Sequence, residues 1–148
     1  CAAVRLYDNL TIKGPEGSLL AVNRGWFGSG HGWSGAQIVF WNCSAPIIMV
    51  MQPPTAQNFA IGSNGTITDE WKVRSREATI RSINNVSRSN FQYEGVQSIG
   101  DGWIESPEEL VYPRSLYYQQ LKDRLGDGAL KNVMTPAQYN NYLQQTKQ

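Results

Sequence analysis

Arg24, Trp26, His31 and Trp33 stand within ten residues of one another in the stretch NRGWFGSGHGWSGAQIVFWNC, residues 23–43. That stretch also holds three of the five tryptophans, five glycines and the only histidine of the chain. Each residue type brings a distinct kind of contact. A guanidinium fork hydrogen-bonds hydroxyl or carboxylate groups. An indole ring presents a flat apolar face, and an imidazole donates or accepts one hydrogen bond. Glycines let the backbone turn tightly and lie low enough for a polymer to approach. Together Arg24, Trp26, His31 and Trp33 form a predicted sugar-contacting surface. The competing arrangement folds both tryptophans inward to seal their own loop.

Other chemistry fits this stretch poorly. His31 has no second histidine to share a zinc ion, and Cys43 lies twelve residues away without a supporting nucleophile motif. GWFGSGHGWSG lacks the lysine and the strand-to-helix context of a phosphate-binding loop. No cofactor or metal is implied. A polyuronate lyase needs a basic residue and often carboxylate-held calcium, and a glycosidase needs paired carboxylates. Residues 25–68 contain no Asp, Glu, Lys or Arg. Asp69, Glu70 and Glu77 follow among Lys72, Arg74 and Arg76, a pattern that reads as a solvated face. Glu94, Asp101 and Glu105 are spaced along a glycine-punctuated segment. No catalytic residue is assigned, and whether the chain is an enzyme stays open.

The elements that position these residues follow from a repeat. Four Asn-x-Ser/Thr sequons begin at Asn9, Asn42, Asn64 and Asn85, spaced by 33, 22 and 21 residues. A period near 22 suits a stack of coils, each unable to bury its apolar face alone. The residues before the first two asparagines are strand formers, Val4, Leu6 and Tyr7, then Ile38, Val39 and Phe40. Asn tolerates the left-handed backbone that a sharp turn demands. The expected fold is therefore all-β, a solenoid of stacked parallel coils over residues 1–105 with a Gly/Trp-rich loop inserted at 23–36. A helical or extended tail over 106–148 packs on it.

The same sequons have a second reading as glycan acceptors, with Asn64 the best placed and Asn9 and Asn85 also candidates. Asn42, between Trp41 and Cys43, reads as a buried turn residue. The sequons tilt the expected location towards secretion. Cys1 and Cys43 permit one internal disulfide in an oxidising compartment. A formal charge of +1 on 148 residues argues against nucleic-acid partners. The longest apolar run, residues 47–51, is too short to span a bilayer, and no membrane association is expected.

In the tail, Ser106 and Glu109 form a candidate capping box cut short by Pro113. A helix is predicted from about Arg114 to Leu125, with Tyr117, Leu121 and Leu125 on its apolar face and Gly126 as its stop. A last helix starts at Thr135, with Pro136 in the first turn and Gln138 completing a capping box.

The segments GHGWSGAQIVFWNC, QPPTAQNFAIG, GWIESP and PRSLYYQQLKDRLG, in that order, resemble the C-terminal part of secreted parallel β-helix proteins of the pectate-lyase-like superfamily. The resemblance covers roughly residues 20–126; it implies that the coils form a right-handed parallel β-helix and that the chain binds, or cleaves, an extracellular polysaccharide. Relatives of this type are longer, so it also implies a further chain or further coils stacked on the N-terminal end. The alternative is a non-catalytic structural, adhesive or assembly subunit that stacks with another chain.

Overall fold

The computed structural model describes residues 2–15, 17–22, 33, 35–67 and 102–145. Among the described residues, seven strands alternate between two sheets. Strands β1 (Ala2–Asp8), β3 (Gly35–Trp41), β5 (Phe59–Ile61) and β7 (Trp103–Glu105) form one sheet in that order. Strands β2 (Ser18–Ala21), β4 (Ser44–Val50) and β6 (Asn64–Ile67) form the other. Every pairing is parallel. Three helices follow: α1 (Leu116–Leu125), α2 (Asp127–Val133) and α3 (Pro136–Gln145).

This corrects the expected all-β solenoid. Two small parallel sheets of four and three strands combine with three short helices in a mixed α/β fold, not a parallel β-helix. The reason lies in the tail. Boundary signals at Ser115, Gly126 and Thr135 make residues 116–145 helical almost throughout, so the tail is a major part of the architecture. Strands β5, β6 and β7 are short, at three, four and three residues.

The core is sandwiched between the sheets. Alternation along β2 and β3 turns Leu19, Ala21, Ile38 and Phe40 inward, where they meet Cys43, Ala45, Ile48, Val50 and Ala60. Burying a side chain such as Phe40 or Ile48 contributes roughly 1.5–3 kcal/mol. Met49 and Met51 are buried in a smaller cluster with Val22, and Leu20 and Trp33 pack against it. Asn58 is fully buried yet satisfied: its Oδ1 accepts from Ile38 N at 2.9 Å and its Nδ2 donates to Met51 O at 2.9 Å.

The turn ladder differs in register from the sequons. The pairs Asp8↔Trp41, Trp41↔Ile61 and Ile61↔Glu105 put Asn9, Asn42, Gly62 and Ser106 at equivalent positions. All four have left-handed backbone, with φ of 55°, 49°, 61° and 47°. Asn64 instead pairs with Ser44 in the other sheet, two residues beyond the corner. Asn85 lies outside the described residues. The first two sequons therefore mark corners, and the third does not.

Gly62 is required at its corner for space as well as for backbone. An added Cβ would stand 2.4 Å from Asn42 Oδ1 and 2.8 Å from Val111 Cγ2. That clearance lets the Asn42 carboxamide reach the segment that enters the helical tail.

Candidate functional site

The corners at Asn9 and Asn42 do not bond to one another; both grip residues 111–114. Asn42 is buried, at 6% exposure, and fully used. Its Nδ2 donates to Val111 O at 2.9 Å and Arg114 O at 3.0 Å, and its Oδ1 accepts from Val111 N at 2.9 Å. Trp41 adds a bond from its indole nitrogen to Pro113 O at 2.9 Å. Asn9 Nδ2 donates to Arg114 O at 2.8 Å and to Asp8 Oδ1 at 2.9 Å.

Asp8 then starts α1. Its Oδ2 accepts from Ser115 Oγ and, at 3.0 Å, from Tyr117 N. Ser115 is the N-cap, accepting from Tyr118 N at 3.2 Å. A carboxylate at a helix N-terminus also complements the partial positive charge of the unpaired amides there. The helix ends at Gly126, φ 78°, as the glycine stop predicts. The expected apolar face is not buried: Tyr117 is 47% exposed and Leu125 71% exposed. Tyr118 takes the inward role instead, its ring 6.1 Å from that of Tyr142 on α3 in an edge-on arrangement.

At the start of α3 the capping box forms as expected, with Gln138 N donating to Thr135 Oγ1 at 3.3 Å and Thr135 N donating to Gln138 Oε1 at 2.9 Å. Helix α2, which the sequence reading did not separate, carries the buried Leu130 and joins the other two. The expected capping box at Ser106 and Glu109 gives a turn, not a helix, with Glu109 N donating to Ser106 O at 3.2 Å.

Between the Asn9 corner, residues 112–119 and α3 lies a cavity of about 500 Å³. Tyr112, Tyr118 and Tyr142 line it together with the carboxamides of Asn9, Gln119, Gln138, Asn141 and Gln145. Pro113, Arg114 and Ser115 complete the wall, and Arg114 is the single charged residue among these. Two buried side-chain atoms of these residues, Asn9 Oδ1 and Arg114 Nη1, have no hydrogen-bond partner among the described residues. One is an acceptor and the other a donor. Buried polar groups are nearly always paired, and an unpaired one costs about 1–3 kcal/mol.

The site expected from the sequence is only partly described. Trp33 is half-buried against Val22, Met49 and Met51, and its indole nitrogen is buried without a partner among the described residues. Arg24, Trp26 and His31 lie outside the described residues. Asn64 is exposed at the start of β6. Cys43 is a buried free thiol donating to Tyr7 O at 3.2 Å, and burial pushes its pKa up. Cys1, its expected disulfide partner, lies outside the described residues.

The sequence reading missed Tyr112, Arg114, Tyr118 and Tyr142 as site residues. The signal was present as tyrosine- and amide-rich runs, VYPRSLYYQQ and AQYNNYLQQ, which were read only as helix-forming patterns. Among the described residues no group of three or more His, Cys, Asp or Glu is placed to hold a metal ion, and no helix is long and apolar enough to cross a membrane. No family model, curated protein or solved structure matches this chain.

Proposed function

We propose that the protein is a secreted carbohydrate-binding protein that holds an extracellular polysaccharide in the tyrosine-lined groove. The observation that carries this reading is a cavity of about 500 Å³ walled by Tyr112, Tyr118 and Tyr142 together with five side-chain carboxamides. Sugars match that lining in two ways. Their hydroxyls donate and accept, as carboxamides do, and their ring faces pack on aromatic rings. Pockets with aromatic walls and a few convergent polar groups are the usual form of a small-ligand site. The sequence resemblance to polysaccharide-active proteins points the same way, and the exposed sequon at Asn64 suits an extracellular protein. Binding is favoured over cleavage because the carboxylate beside the groove, Asp8, is engaged in capping α1.

Affinity electrophoresis through gels containing xylan or polygalacturonate tests the reading. Wild-type protein should be retarded in at least one gel, and Arg114→Met should migrate as in a gel without polysaccharide. The Arg114 carbonyl, which the corner asparagines use, survives that substitution. Its melting temperature should hold or rise, because an unpaired buried donor is removed. Wild type unretarded in both gels, or equal retardation of the variant, contradicts the reading.

A further inference from the structure

The Asn-x-Ser/Thr sequons differ in what their carboxamide hydrogens already do. N-glycosylation replaces one of the two hydrogens on the asparagine Nδ2 with a sugar carbon, so a glycan-bearing asparagine keeps a single donor. Asn42 uses both hydrogens. Its Nδ2 donates to Val111 O at 2.9 Å and to Arg114 O at 3.0 Å, and the residue is buried. Asn9 uses both as well, donating to Asp8 Oδ1 at 2.9 Å and to Arg114 O at 2.8 Å. A glycan on either one costs one of these bonds and forces a bulky, solvated group into the joint between sheet and tail. Asn64 differs on each count. It is exposed at the start of β6, and Thr66, the third residue of its sequon, is exposed too. Its backbone amide donates to Cys43 O at 2.8 Å, which fixes the main chain and leaves the carboxamide uncommitted among the described residues.

We infer that Asn64 carries an N-linked glycan in the secreted protein, and that Asn9 and Asn42 stay bare in the folded molecule although their sequons match equally well. This rests on the extracellular location proposed above and not on the groove. The fourth sequon, at Asn85, lies outside the described residues. The donor is an oligosaccharide carried on a lipid diphosphate. Asn64 Nδ2 forms a bond to the anomeric carbon and gives up one proton. The bond from that carbon to the phosphate oxygen breaks, and the lipid diphosphate leaves. The sequon supplies the acceptor in all three cases; the hydrogen count at Nδ2 decides which product is compatible with this fold.

The test expresses the full chain behind a cleavable signal peptide in a eukaryotic secretory host. Secreted protein is treated with peptide N-glycosidase in heavy-oxygen water, which converts each glycosylated asparagine to a labelled aspartate, and the label is mapped by peptide mass spectrometry. Label is expected at residue 64 and absent at residues 9 and 42. Thr66→Ala should abolish the label at residue 64 and leave the melting temperature of the deglycosylated protein unchanged. Thr11→Ala combined with Ser44→Ala removes the other two sequons and should leave the glycan mass of the secreted protein unchanged. An unlabelled residue 64, or a label there that survives Thr66→Ala, overturns the assignment of Asn64. Label at residue 9 or 42 in secreted protein that unfolds cooperatively, or a lower glycan mass in the double variant, overturns the exclusion of the corner asparagines. Retardation in polysaccharide gels is read separately, so a protein glycosylated at Asn64 but unretarded contradicts the carbohydrate-binding reading alone.

Discussion

Asn9 and Asn42 occupy equivalent corners of the same sheet, yet they have different work to do. Both have left-handed backbone, and both donate to the carbonyl of Arg114. Asn42 also accepts from Val111 N, so its carboxamide is saturated. Asn9 keeps a buried oxygen without a partner among the described residues. One corner closes the joint between sheet and tail; the other lies in the wall of the tyrosine-lined cavity. The same residue type at the same register can thus be structural or ligand-facing, depending on what the tail presents to it.

The largest effect expected at the saturated corner comes from Gly62→Ala. The new methyl collides with the Asn42 carboxamide and the backbone stays in the left-handed region. A left-handed alanine costs about 1–2 kcal/mol, and displacing Asn42 leaves buried groups unpaired at about 1–3 kcal/mol each. Chemical denaturation should show a loss of roughly 4 kcal/mol. A loss below about 1 kcal/mol would mean that the corner does not lock the tail.

The asparagines themselves should separate next. Asn42→Ala strands the amide and carbonyl of Val111, while Arg114 O keeps its bond from Asn9, and should destabilise by roughly 3 kcal/mol. Asn9→Ala removes a more weakly buried joint and an oxygen that was unpaired, and should cost only about 1 kcal/mol. Its larger consequence should be on saccharide binding. Equal stability losses in the two variants would erase the distinction between the corners.

Much of the local structure was legible in the sequence. Strand formers ahead of Asn9 and Asn42 announce β1 and β3, and asparagine announces the left-handed corner after each. Gly126 and the Thr135–Gln138 box mark helix ends where the structure has them. The slip at Asn64 has a physical cause. A left-handed corner admits Gly62 and Ser106 as well as asparagine, so an Asn-x-Ser/Thr sequon does not by itself fix where the corner falls. The all-β expectation fails because the tail contributes three helices that share the fold with the sheets. The groove was hidden for a different reason. Asn9 and Arg114 are 105 residues apart in the chain, and no local pattern joins them. Only the docking of α1 onto Asp8 brings them together.

The most direct test reads both corners in one titration. In nitrogen-15 NMR spectra, the side-chain amide signals of Asn9 and Asn42 are followed as xylotetraose or tetragalacturonate is added. The account predicts that the Asn9 amide shifts progressively and saturates with the binding isotherm, while the Asn42 amide stays in place. Shifts of equal size at both corners, or a stationary Asn9 amide while the ligand binds, would contradict it.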